Sequence, residues 1–260
     1  MTKRFKKGVA SFFTCGNIIC GCLSIISVMD GNFLKASWLL ILAIAFDMMD
    51  GRIARITNTT SDFGVQLDSL SDLVSFGIAP SIMMYQLVLN DLDKIGVLIA
   101  VLFVLCSALR LAKFNVMTQD GVVHSFFMGL PTPASAGLLV SFVLSYELSI
   151  YSLTFKTAPI LIKSIPLLLN MMPVIMIILS LLMVSNIPYA SFKKLKFSHY
   201  KIFNFLVLVL LFICIFVQNI INSIFILFFM YILSGVCNYI LKSLEGFKKK
   251  CFKKIWKNGN

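Results

Sequence analysis

Long apolar runs follow one another along the chain, each near the roughly 20 residues that a helix needs to cross a hydrocarbon core. They fall at about 10–30, 34–53, 65–89, 93–112, 132–153, 167–187, 201–219 and 221–241. The pattern predicts an all-α fold, a polytopic integral membrane helical bundle of about eight transmembrane helices. Composition agrees, with 59% hydrophobic and only 13% charged residues and a mean hydropathy of +0.93.

Basic residues set the expected orientation. With the N terminus in the cytoplasm, Lys3, Arg4, Lys6, Lys7, Arg52, Arg55, Arg110, Lys113, the Lys193–Lys201 cluster and the Lys242–Lys257 tail fall inside. Only Lys35, Lys94, Lys156 and Lys163 fall outside. This asymmetry predicts both termini in the cytoplasm and the Arg52/Arg55 segment on the cytoplasmic side. The apolar run after Lys7 contains Thr14, Asn17 and Ser24 and no small-x-small cleavage site follows it, so a retained first helix is expected. The net charge of +12 reads as topology and attraction to anionic headgroups, with no nucleic-acid partner. The seven cysteines, Cys15, Cys20, Cys22, Cys106, Cys214, Cys237 and Cys251, are scattered apolar fillers, implying neither a disulfide framework nor a zinc site. His124 and His199 read as loop residues.

Four carboxylates stand out against this background, in the frame Asp47-x2-Asp50-Gly51-x2-Ala54-Arg55-x8-Gly64-x3-Asp68-x3-Asp72. A carboxylate at mid-bilayer costs about 2.5 to 3.5 kcal/mol on insertion scales, so four of them ask for a bound partner. At 100° per residue Asp47, Asp50, Gly51, Ala54 and Arg55 share one helix face, as do Gly64, Asp68 and Asp72 on the next. Two facing helices would gather the acids at a cytoplasmic mouth. Such a set suits two divalent cations, Mg²⁺ or Mn²⁺ with Ca²⁺ an alternative, which clamp a diphosphate and neutralise its oxygens. Gly51, Ala54 and Gly64 are small enough for a nucleotide to approach helix backbone, and Arg55 can fork onto phosphate. A cation transporter could also use intramembrane carboxylates, although it would not need Gly51, Ala54, Arg55 and Gly64 at fixed offsets.

This frame resembles, without insertion, the signature of the CDP-alcohol phosphotransferases, integral membrane enzymes that move a phosphoalcohol from a CDP-linked lipid to a second alcohol. The resemblance implies that Asp47 and Asp68 are shared by two metals, that Asp50 completes the first site and that Asp72 serves the second. It also implies that Asp72 is the general base. Gly51 and Arg55 match positions that contact the CDP group, and Ser61 matches one that touches the diphosphate. Thr14-Cys15-Gly16-Asn17 is similar to the Thr-x-x-Asn segment near the nucleotide, with polar helix packing the other reading of Thr14. The CDP-diacylglycerol set is therefore Thr14, Asn17, Gly51, Ala54, Arg55, Ser61 and Gly64.

A second layer of motifs resembles the phosphatidylserine synthase branch: Ser61 to Pro80, Ser107 to Asn115 and Gly129-Leu130-Pro131-Thr132-Pro133. The resemblance covers much of residues 10–137 and implies transfer of the phosphatidyl group from CDP-diacylglycerol to the hydroxyl of L-serine, releasing CMP. Serine carries a carboxylate, which Arg110, Lys113 and Asn115 could meet; for Arg110 and Lys113 the alternative is topology. Lys113 departs from the branch, which usually carries Arg there. Glycerol 3-phosphate, an inositol phosphate or choline are the alternative acceptors. The expected organisation is one membrane domain over residues 1–260, with catalytic helices at about 10–137, lipid-facing or support helices at about 138–241 and a basic cytoplasmic tail at 242–260. The expected setting is a bacterial cytoplasmic membrane with the active site facing the cytoplasm, and a homodimer is among the assemblies the resemblance allows.

Overall fold

The computed structural model describes residues 3–57, 62–119, 127–151, 159–189, 224–237 and 239. These form helices α1 (Lys3–Met29), α2 (Phe33–Thr57), α3 (Asp62–Asp72), α4 (Ala79–Leu87), α5 (Asp93–Gln119), α6 (Thr132–Tyr151) and α7 (Pro159–Val184). A further apolar helix, α8, spans Ile224–Cys237. The described residues are helical apart from turns and a two-residue antiparallel pair, β1 (Phe127–Met128) and β2 (Pro188–Tyr189). Each of the six expected ranges before residue 187 contains helix among the described residues, with α7 ending at Val184, and α8 falls in the last range. The range 201–219, both histidines and the basic tail lie outside the described residues. Phe12–Met29, Leu89–Met117 and Leu167–Val184 are long and apolar enough to cross a membrane by length and composition.

Local chemistry sets the α1–α2 hairpin. Gly31 takes φ +74°, and the amides of Gly31 and Asn32 return to the carbonyls of Val28 and Ser27 at 2.9 and 2.8 Å, a glycine-terminated helix end. Asn32 then caps α2, its side-chain oxygen accepting from the Lys35 amide at 3.2 Å. The two helices pack side by side, with Ser24 Oγ donating to the Ala36 carbonyl at 3.0 Å.

The third apolar run is one helical path with a change of pitch. Between α3 and α4, Leu73–Ile78 form a π-helical stretch that ends two residues before Pro80, in the first turn of α4. Proline lacks the amide that would bond to residue 76 and its ring crowds that carbonyl in a regular α-helix; the wider turn gives the ring room. This stretch is stitched to α1. Ser71 Oγ donates to the Thr14 carbonyl at 3.1 Å and Ser75 Oγ to the Asn17 carbonyl at 3.0 Å. Gly21 allows the approach, since a Cβ there would lie 3.0 Å from Ser75 Cα.

Helix α6 runs through the core: Leu138, Leu139, Val140, Phe142, Val143 and Leu144 are all buried. Its entry is fixed by Gly129, at φ +81°, where a Cβ would come within 2.3 Å of the Met183 carbonyl. The Gly129 and Leu130 amides bond to the Ile187 and Leu182 carbonyls at 3.0 Å each, so the Gly-Leu-Pro-Thr-Pro motif is clamped to the end of α7.

The α4–α5 connection packs against the first turn of α5 with no room for a side chain at Gly96. A Cβ on Gly96 would lie 1.9 Å from the Leu89 carbonyl oxygen, a backbone atom with little freedom to retreat. Gly96→Ala is expected to destabilise the protein by about 1 to 3 kcal/mol, read as a lower unfolding midpoint in detergent. Gly31→Asn, in a turn with nothing within 4 Å and a conformation asparagine tolerates, should leave that midpoint nearly unchanged.

Candidate active site

The C-terminal part of α2 and the whole of α3 face each other across α1, and the acids converge there. Ligand oxygens of Asp47, Asp50 and Asp68 all lie within 4.8 Å of one another. Asp72, one turn beyond Asp68, is within hydrogen-bonding reach of Asp47. Asp50 and Asp72 are buried, while Asp47 and Asp68 are half-buried. The i, i+3 and i, i+4 spacings that predict two acidic faces therefore meet as one cluster.

Helix α1 supplies the polar backing. Asn17 Nδ2 donates to Asp72 Oδ1 at 3.2 Å, and Thr14 hydrogen-bonds Asp50. Both residues are buried. The family resemblance implies a nucleotide contact for them; the structure gives each a carboxylate partner. The backbone carbonyls of these same two residues receive Ser71 and Ser75, so α1 meets α2 and α3 through both its side chains and its main chain.

The positive charge comes from α5. Arg110 lies within electrostatic reach of Asp72 and Asp47, with one terminal nitrogen donating to Thr132 Oγ1 at 2.9 Å. Lys113 and Asn115 have other partners. Lys113 Nζ donates to Asn186 Oδ1 at 2.6 Å, beyond α7, and Asn115 Nδ2 donates to Ser69 Oγ at 2.9 Å, on α3. For Asn115 the separation follows from helix geometry, because residue i+5 sits about 140° round from residue i; Lys113, at i+3, is drawn away by its bond to Asn186. Of the three residues expected to form a serine pocket, Arg110 is the one the structure brings to the acids.

Gly51 and Gly64 are half-buried on the acidic faces, as their spacing predicts. Ser61 and the side chains of Ala54 and Arg55 lie outside the described residues. Sequence reasoning assigned no role to Ser71, Ser75 or Thr132, although each stands inside a quoted motif. Tyr231 of α8, also within electrostatic reach of Arg110, carried no signal in the sequence.

The donor set fits a hard divalent cation. Asp50 Oδ2 and Asp68 Oδ1 are buried with no hydrogen-bond partner among the described residues. Buried carboxylate oxygens without donors are costly. Two such oxygens in a cluster that includes Asp47 form the all-oxygen environment that Mg²⁺, Mn²⁺ or Ca²⁺ takes.

Similarity to known proteins bears on the same residues. Residues 7–178 match the sequence profile described as CDP-alcohol phosphatidyltransferase. The chain is 36% identical over 230 residues to a CDP-diacylglycerol–serine O-phosphatidyltransferase of Helicobacter pylori strain J99, covering 88% of this chain and 90% of that one. It is 37% identical over 139 residues to the protein of that name from Bacillus subtilis strain 168, covering 54% and 77% of the two chains. An archaetidylserine synthase of Methanothermobacter thermautotrophicus is 43% identical over 131 residues, 50% of this chain and 54% of its own. The matched region carries all four aspartates, their α1 partners and Arg110, and the chain belongs to the CDP-alcohol phosphatidyltransferase family.

Proposed function

We propose that this protein transfers the phosphatidyl group of CDP-diacylglycerol to the hydroxyl of L-serine, giving phosphatidylserine and CMP. The carrying observation is the convergence of Asp47, Asp50 and Asp68 beside Asp72, with Arg110 in electrostatic reach. Relatives named for serine transfer support the acceptor. One of them is named for an archaetidyl product, which makes serine the common element.

Two divalent cations, Mg²⁺ or Mn²⁺, fit the cluster: Asp47 and Asp68 would serve both, Asp50 the first and Asp72 the second. When bound, they supply charge neutralisation at the diphosphate and the departing CMP. The remaining work belongs to the chain. Gly51, Ala54 and Gly64 leave room for the nucleotide, Arg55 and Ser61 hold the phosphates, and Thr14 and Asn17 orient Asp50 and Asp72. Arg110 holds the serine carboxylate. Asp72 takes the hydroxyl proton as the serine oxygen attacks the lipid-side phosphorus in line and the bond from phosphorus to the CMP oxygen breaks. Lys113 and Asn115, bonded to Asn186 and Ser69, brace this pocket.

The basic residues favour eight spans with both termini in the cytoplasm of a bacterial cell and the acids opening to that side. Soluble serine and CMP then exchange at the mouth while the acyl chains stay in the bilayer.

CMP release by purified protein in detergent, with CDP-diacylglycerol and Mn²⁺ or Mg²⁺, should require L-serine and yield a serine phospholipid. Release with another alcohol instead would keep the aspartate chemistry and move the acceptor. Stripping divalent ions with a chelator should abolish release, and Mg²⁺ or Mn²⁺ should restore it; activity that survives chelation would sink the two-cation reading. Asp72→Asn should lower turnover about 10²- to 10⁴-fold, the range of a general base, while sparing much of the CDP-diacylglycerol binding. Near-normal turnover in that variant would remove Asp72 from the role.

A further inference from the structure

Thr132 opens α6, at the point where a threonine ordinarily serves its own helix. A hydroxyl in that position accepts from a backbone amide two or three residues on. Here the amides of Ala134 and Ser135 both bond to the Pro131 carbonyl, at 3.1 Å each. The Thr132 hydroxyl is released from capping and accepts instead from a terminal nitrogen of Arg110 at 2.9 Å. Thr132 is fully buried, so water does not compete for that bond.

The residue is braced from several sides. Pro131 and Pro133 flank it, and proline fixes its own φ. Ser135 Oγ donates to the Thr132 carbonyl at 2.9 Å, with Met183 Sδ of α7 3.3 Å away. The same sulfur lies 3.5 Å from Ser107 Oγ on α5, three residues before Arg110. One buried methionine thus marks the crossing of α5, α6 and α7, and the Arg110–Thr132 bond sits about one turn from it along both α5 and α6.

The kind of partner matters to the arginine. Among the described residues Arg110 is hydrogen-bonded to Thr132 and to no carboxylate, and its Nε is buried without a partner. A direct carboxylate pair would neutralise the guanidinium and occupy both prongs of its fork. A neutral hydroxyl fixes one prong and leaves the charge and the other N–H donors to an incoming anion. We infer that Thr132 is a positioning residue for the acceptor: from the α5–α6–α7 junction it aims the Arg110 guanidinium at the acceptor carboxylate. Holding a long side chain in its binding rotamer beforehand removes ordering entropy from the encounter, so the effect belongs to acceptor affinity and not to the nucleotide. The inference rests on the serine-transfer reading above, in which Arg110 holds the serine carboxylate.

The test is CMP release by the purified full chain, with KM for L-serine and for CDP-diacylglycerol measured separately, in wild type, Thr132→Val and Thr132→Ser. Valine keeps the volume and branching but removes the acceptor, which serine restores. Thr132→Val should raise KM for serine about tenfold, the effect of one lost hydrogen bond to a charged group, while KM for CDP-diacylglycerol stays put. Thr132→Ser should recover most of that loss. Thr132→Cys, whose sulfur accepts weakly, should fall between the two and carries the test if the valine variant does not fold. Wild-type release that does not depend on serine would overturn the serine reading itself. Serine-dependent release with an unchanged serine KM in Thr132→Val, with both KM values rising together, or with no recovery in Thr132→Ser, would overturn the Thr132 assignment alone.

Discussion

Carboxylates brought together inside a helical bundle repel one another far more strongly than they would in water, because the interior screens charge poorly. Asp47, Asp50 and Asp68 converge within 4.8 Å, with Asp72 alongside, and the architecture around them can be understood as a response. Arg110 offers positive charge from α5. Thr14 and Asn17 donate to Asp50 and Asp72 from α1. What remains is a deficit of positive charge and two carboxylate oxygens without donors, an arrangement whose natural complement is a divalent cation and, through it, a diphosphate. Stability and function are tied together at this point: the grouping that most disfavours the folded chain by itself is the one that binds.

The rigidity needed to hold such a cluster comes from close backbone approaches. Gly21 admits the π-helical stretch onto α1, Gly96 closes the α4–α5 turn, and Gly129 seats the start of α6 against the end of α7. None of these glycines touches the acids. Each fixes a helix that does, or a helix packed against one that does.

Features governed by local chemistry were legible in the sequence. The Asp spacings fix which faces carry the acids, and Gly31-Asn32 falls between two apolar runs where the hairpin turns. Features governed by tertiary contact were not. Arg110, Lys113 and Asn115 stand close together in sequence, yet they point to Thr132, Asn186 and Ser69 on three different segments. The run from 132 to 153 is apolar on every side, and such a helix suits lipid or protein core equally well; only packing shows that α6 is in the core. Arg110 and Tyr231 are separated by more than a hundred residues, and no spacing rule connects them. The π-helical stretch before Pro80 was hidden for the same reason, since proline marks a disturbance without saying which form it takes.

At Thr14 and Asn17 the chain separates placing from acting. The anchors from Ser71 and Ser75 grip main-chain carbonyls, which every residue possesses, while the side chains at the same two positions turn to the acids. Replacing either side chain thus leaves the joint between α1 and α3 intact. Sliding α1 by a single residue would undo both at once. The joint works as an index mark: it fixes the register of the first helix against the catalytic ones independently of what that helix presents, so the chemistry at those two positions could be revised over generations without dismantling the frame that aims it.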